Sequence, residues 1–443
     1  MDLNLAEDIV KKALSKGADS AEAFVSSGKG ISVEVKDGEV DALEASLDAA
    51  VAVRVIKNGR LGFSFTTDIS VADKVIDEAI EGSRWSAEDI YNVIPQMLAP
   101  SDVPVFDSAI AGISEAELIR LAISLEESSL SYDKYVKRVR KAGVSSGVYK
   151  TAIVNSNGVS ISYQSSHISA QIVAFAENES GDSQVGSDYS VKRRAADLQV
   201  MPVAVNAAKR ALELLGSRRI TAMKLPIVLP PDIAVEFLEV LSASFSADAV
   251  QKQRSFFGGK SGKTVASSQV NIIDDGLLPW GIGSSLTDDE GVPAQKKVLI
   301  SEGVLNGFIH NTYTAKKENV ASTGNAVRSS SKGLPGVGIT NLYIEPEKNG
   351  NDKATIISSL SKGILITSVM GVHMANPVSG DFSIGISGLM IEAGQMAYPF
   401  KEAVISGNIL DMFKMVEQVG SDLEFYGRIG SPSLLIGEMD ISA

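Results

Sequence analysis

Two strand signatures lying close together near the start of the chain constrain its fold more than any other feature. Ile31, Val33 and Val35 alternate with Ser32, Glu34 and Lys36 and end at Asp37-Gly38; Val51, Val53 and Val55 lead in the same way to Asn58-Gly59. Alternation at period two gives each face of a strand its own row of side chains, and Asp-Gly or Asn-Gly provides the positive-φ residues of a tight hairpin turn. Adjoining hairpins commit this region to antiparallel pairing. The alternation returns between Tyr135 and Tyr189, where Val159, Ile161 and Tyr163 follow Asn157-Gly158.

Helical signatures are set among these strands. Asn4 is a candidate N-cap with Glu7 three residues on, and Ala6, Ile9, Val10, Ala13 and Leu14 share one face before Gly17. A second helix is expected around Val75 to Ile80, and a third from Ser114, which stands at capping-box spacing from Glu117. An irregular Pro-containing stretch, about Asn92 to Asp107, separates these two. A longer helix carrying Ala204, Ala207, Ala208, Ala211 and Leu215 stops at Gly216. The second half opens with an apolar strand, Leu225 to Leu229, and a helix burying Ala234, Phe237, Leu238, Leu241 and Phe245. Beyond lie glycine-rich loops and strands, with clear helices only near Ala354 to Leu360 and from Asn408 onward. The class expected is α+β with two domains: 1–216, helices with an antiparallel sheet, and 217–443, strand-rich with few helices.

Chemistry is narrowed chiefly by what the 443 residues lack. There is no cysteine, which removes disulfides, thiolate ligands and sulfur nucleophiles together. An excess of acidic residues gives a formal charge of -13, which opposes binding to a polyphosphate backbone. The basic cluster Lys192-Arg193-Arg194 reads as a solvated helix start. With no apolar run long enough to span a bilayer and an acidic Met1-Asp2-Leu3-Asn4 start, a cytoplasmic protein is expected.

Individual motifs mostly dissolve on inspection. Gly143-Val144-Ser145-Ser146-Gly147 matches a nucleophile elbow, but a strand pattern follows where that motif needs a helix, so a strand-linking turn is expected. Gly258-Gly259-Lys260-Ser261-Gly262-Lys263-Thr264 is one residue short of a phosphate loop and reads as a surface loop. The three histidines, His167, His310 and His373, lack metal-ligand spacing, and the first two lie in strand-like segments.

One ordered succession carries more. It runs through Ile273-Asp274-Asp275-Gly276, Thr287-Asp288-Asp289-Glu290-Gly291-Val292-Pro293-Ala294-Gln295, Ser322-Thr323-Gly324-Asn325-Ala326, Asn376-Pro377-Val378-Ser379-Gly380-Asp381-Phe382-Ser383 and Gly407-Asn408. With the segment Ala21 to Gly62 it resembles the TldD/PmbA family, historically labelled modulators of DNA gyrase. The resemblance implies that TldD-type members hold zinc on a His-Glu-x-x-x-His helix together with a later cysteine. Aligned to that helix, this chain has Glu239 and Ser244 at the histidine positions and Val240 at the general-base position.

This departure resembles the PmbA (TldE) type. The implied role is a subunit with no cofactor of its own, paired with a TldD-type zinc-binding partner in a two-chain peptidase for unfolded or extended peptides. The alternative is a regulatory or binding homodimer without proteolysis. Peptide groove or interface is expected at the loops holding Ser322, Thr323, Gly324, Asn325, His373, Asn376, Gly380 and Asp381, where small residues permit close backbone approach and strand addition.

Overall fold

Both expected hairpins form, and their strands run longer than the alternation alone indicates. In the computed structural model, which describes residues 2–330 and 332–442, β1 (Ser20–Lys36) and β2 (Glu39–Lys57) pair antiparallel from Ser20↔Ile56 to Lys36↔Glu39. Asp37 and Gly38 turn at φ 55° and 78°, Asn58 and Gly59 at 49° and 71°, as a type I′ turn requires. With β3 (Arg60–Thr66), β4 (Val136–Asn155), β5 (Ser160–Glu177) and β6 (Ser183–Lys192) they build a six-stranded antiparallel sheet ordered β3-β2-β1-β4-β5-β6.

Helices cover one face of this sheet. α1 (Asp2–Ser15) and α2 (Ala72–Ser83) bury Ile9, Val10, Val75 and Ile76 against Val25, Val51, Val53 and Val55. α3 (Ser108–Ala111) is a single turn. α4 (Glu115–Leu130) starts as the capping box predicts, Ser114 Oγ accepting from the Glu117 amide at 3.2 Å, and with α5 (Val200–Glu213) covers Val33, Val35, Val144 and Ile172. Each buried Val, Leu or Ile here contributes roughly 1.5–3 kcal/mol. Both clusters draw on odd-numbered residues of β1, so the even-numbered face, with Glu22 and Phe24, is left for the second half of the chain.

That half opens with β7 (Met223–Leu229) and α6 (Pro231–Ser242), whose Ile233, Phe237, Leu238 and Leu241 enter the largest core. β7 lies in a six-stranded sheet between Lys362–Met370 and Leu434–Ser442. Gln395–Asn408 pairs both with Asp381–Glu392 and with Leu434–Ser442, so the ladder closes as a barrel and loses its open edges there. A second six-stranded sheet joins Ile272–Asp275, Lys296–Ser301 and Leu342–Ile344 with three short strands. The class is α+β, as expected.

Some local expectations change. Gly143 to Gly147 is not a strand-linking turn; it lies inside β4, in register with both β1 and β5. Arg193 is not part of a solvated helix start. It follows the end of β6, and its guanidinium donates to the carbonyls of Ser166, Gly281, Ile282 and Ser284 at 2.6–3.2 Å. Burial pushes it down to about 10. His310 is in an irregular segment rather than a strand, and two short helices, Ala247–Gln251 and Thr312–Glu318, stand where only loops and strands were expected.

Candidate functional site

α6 holds the positions aligned with the metal motif. Pro231 at its first turn and Asp232 beside it suit a helix start, and the apolar face seats it on the core. Glu239 is exposed, and Val240 is half-buried against the core. The helix ends at Ser242 and a 3₁₀ turn follows, Ala243–Phe245, in which Ser244 is buried and its Oγ has no partner among the described residues. One motif position thus faces solvent and another is sealed in the interior. Zinc takes thiolate, imidazole or carboxylate ligands converging on one point, and these residues do not fit it. No group of three or more His, Asp or Glu side chains that could hold a metal occurs among the described residues.

The two expected loops are held by separate networks. In the first, Thr323 Oγ1 accepts from the His310 amide at 2.7 Å and donates to Asn325 Oδ1 at 2.8 Å. Asn325 donates in turn to Asp274 and to the Gly338 carbonyl, both at 2.8 Å, while Lys297 pairs with Asp274 at 2.9 Å. Ser322 donates to the His310 carbonyl. Gly324 has φ +67°, and a Cβ there would stand 2.3 Å from the Pro293 carbonyl oxygen. This loop is fastened inward. In the second, Asn408 donates to Asp381 at 2.9 Å and to the Ser379 carbonyl at 2.8 Å, while its own Oδ1 caps the helix Ile409–Lys414. The hydrogen bonds from Asn408 and Ser379 hold the Asp381 carboxyl below its ordinary value. Asn376 and Gly380 close the same turn. Phe382 meets Phe237 of α6 edge-on at 5.9 Å, so this loop abuts the motif helix. His373 belongs to the 3₁₀ turn Val372–Met374; its side chain lies outside the described residues.

A feature not read from sequence lies at the seam between the halves. Arg54, projecting from β2 beside Glu22 of β1, pairs with Glu22 at 2.6 Å and with Glu290 at 2.7 Å; Arg328 reaches the other Glu22 oxygen at 2.8 Å. All four side chains are buried. Burial opposes the Arg54 charge, but the two carboxylates outweigh it and hold the guanidinium above its ordinary value; Arg328, with burial and Arg54 against it, is held below. Asp288 accepts from the Glu290, Val292 and Ala326 amides at 2.9–3.0 Å, and burial together with Glu290 raises its carboxyl well above the usual range. The stretch 288–290 therefore ties the inward loop to the N-terminal sheet. The Pro-containing stretch 92–107 is strapped into the same seam: Ser101 N–H donates to the Leu286 carbonyl at 3.0 Å, and the Ser166 amide donates to the Val105 carbonyl at 3.1 Å.

Beside this network a cavity of about 440 Å³ opens between the halves. Arg54, Ile56 and Leu61 line it from the sheet, Asp89 and Val93 from the segment after α2, and Asp248, Lys252, Tyr313 and residues 334–337 from the second half. The inward loop thus reaches a cavity through its far end, Leu334 to Val337, and not through Ser322 to Asn325. The signals available in sequence were the Asp288-Asp289-Glu290 run and a basic residue among the valines of β2.

Comparison with known proteins follows the length of the chain. Three domain models match in order: PmbA/TldA metallopeptidase domain 1 at residues 21–83, the central domain at 109–215, and the C-terminal domain at 222–443. Metalloprotease PmbA of Escherichia coli O157:H7 is 29% identical over 99% of this chain and 96% of its own. A crystal structure from Thermotoga maritima, titled as a modulator of a DNA gyrase, superposes with TM-score 0.91 at 26% identity, covering 99% of both chains. TldE of Thermococcus kodakarensis has the same fold, with TM-score 0.90 at 21% identity over 99% of this chain and 100% of its own.

Proposed function

Because the chain belongs to the PmbA/TldD family of metallopeptidases, we propose that it is a subunit without metal chemistry, which pairs with a TldD-type zinc-binding chain in a peptidase for unfolded or extended peptides. The observation that carries this reading is α6. The helix keeps its buried apolar face, while its motif positions present an exposed Glu239, an aliphatic Val240 and a buried Ser244 hydroxyl. Val240 has no group that accepts a proton, so the water-activating step that the family's zinc and glutamate supply has no counterpart here. On this reading the chain, divided as 1–216 and 217–443, works in the cytoplasm through its surfaces.

Two surfaces suit that work. The loop 371–381 lies beside α6, and exposed Met370, Met374 and Val378 flank or belong to it, a soft apolar patch of the kind partner chains cover. The seam around 334–337 offers exposed glycine backbone where an extended peptide can approach. Co-expression with a TldD-type chain from the same source tests the proposal. Zinc and cleavage of an unfolded polypeptide are expected in the complex and in neither case with this chain alone. Stoichiometric zinc with peptidase activity in the isolated chain would overturn it; a stable homodimer that ignores the TldD-type chain would favour a regulatory role.

A further inference from the structure

The seam cavity begins directly after the degenerate motif, since Asp248 and Lys252 belong to the short helix Ala247–Gln251 and its C-cap, which follow the turn that buries Ser244. At about 440 Å³ it is some three times the ~150 Å³ that admits a benzene ring and falls in the size range of ligand pockets, which favour domain interfaces. We propose that this cavity binds a short peptide with free ends and an aliphatic side chain, on this chain by itself and without metal. The proposal rests on the peptide-handling role given above and assigns that role a place.

Three properties of the lining select such a ligand. Ile56, Leu61, Val93, Leu334 and Val337 give it apolar walls, which suit an aliphatic side chain. Apart from Arg54, whose charge Glu22 and Glu290 already compensate, its lining carries charge of both signs, Asp89 and Asp248 with Lys252, so a ligand carrying one ammonium and one carboxylate is matched where a polyanion is opposed. Finally, its polar groups are partly committed and partly available. Arg54 is the committed one: it spends its terminal nitrogens on Glu22 and Glu290, and its Nε is sealed from the cavity. Lys252 and Asp248 meet at 2.9 Å as a solvent-exposed pair, weak enough to exchange partners for ligand termini. Tyr313 donates to Asp89 at 2.9 Å and holds that carboxylate at the rim.

Calorimetric titration of the purified full-length chain with Ala-Leu-Ala tests this directly. Saturable one-to-one binding is expected at a Kd of about 1 mM or tighter, weakened at least tenfold when the probe is N-acetylated and C-amidated. Leu61→Arg, which sets a long cation in the wall, should weaken binding at least tenfold; Asp89→Asn should weaken it several-fold. Absence of saturation with Ala-Leu-Ala, or equal affinity for free and blocked ends, overturns the proposal. Both results are read on the unaltered protein, so a variant that fails to fold leaves the test intact. Co-purification with a TldD-type chain but no tripeptide binding would sink the cavity assignment alone, whereas tripeptide binding without any such partner would sink the subunit reading alone.

Discussion

Replacing Arg54 with methionine removes one cation from between two buried carboxylates, and the structure ranks the consequences for each. Glu22 keeps Arg328 at 2.8 Å. Among the described residues Glu290 keeps one hydrogen bond, from the Thr312 amide at 2.8 Å, and no cation in direct contact. Removing one partner of a buried ion pair typically costs about 3–5 kcal/mol, because a charge is left without compensation, and most of that cost should fall on Glu290. Adding Glu290→Gln to Arg54→Met should therefore recover about 2 kcal/mol. Adding Glu22→Gln instead should recover less, because it strands Arg328. Denaturant unfolding followed by fluorescence is a suitable assay: Trp280 sits at the seam, its amide bonded to the Pro104 carbonyl at 3.2 Å and its ring beneath Arg194. A loss below about 1 kcal/mol for Arg54→Met, or better rescue by Glu22→Gln than by Glu290→Gln, would refute this account of the seam.

Other outcomes follow from the same geometry. Burial holds His167 and His310 below the ordinary imidazole value, with Arg193 adding to the effect at His167. The unfolded chain therefore binds these protons more readily, and the stability concerned is complete above about pH 6.5 and lost as pH falls through the depressed values. The double variant His167→Gln/His310→Gln should show a shallower fall in stability on acidification than the parent, and an unchanged slope would count against it. Gly324→Ala should lower the unfolding free energy by about 1–3 kcal/mol, since alanine must adopt φ +67° with its Cβ against the Pro293 carbonyl; an unaltered denaturation midpoint would show that the loop yields. Dialysis of the isolated chain against a chelator should move its thermal midpoint by less than about 1 °C, because a ligand that stabilises the native state raises that midpoint only where it binds. A fall of several degrees would reveal a bound metal.

Local order was legible wherever the residues at hand decide the backbone. Asp37-Gly38, Asn58-Gly59 and the Ser114 cap needed only near neighbours, and each forms as its own chemistry requires. The short helices Ala247–Gln251 and Thr312–Glu318 escaped notice because so few turns present no sustained apolar stripe; Asn311 caps the second and Asn319 ends it at φ 55°, signals easily lost among loop residues. Arg193 misled because a basic run usually means a wet surface, whereas four distant carbonyls enclose this one. The loop residues Thr323, Asn325 and Asp381 were recognisable as a set, yet period and composition carry no information about which of them turns inward. The seam was illegible for a stronger reason: Glu22 and Arg54 face each other across one hairpin, but Glu290 and Arg328 come from irregular segments far along the chain, and only docking of the second half onto the first sheet brings them to that pair.

That separation matters to the chain while it is being made. Glu22 lies 306 residues ahead of Arg328, and at about 5–20 residues per second the interval between their synthesis is roughly 15 s to a minute. Once Glu213 has been made, the N-terminal sheet can close its hairpins and seat its helices, but until Arg328 follows its even-numbered face lacks that partner. Glu22 and Arg54 stand opposite each other on that open face and stay hydrated, so the cost of taking them out of water falls at docking, when Glu290 and Arg328 arrive to meet it. A clasp in the finished protein is thus, for most of the chain's synthesis, a pair of wet charges waiting for its other half.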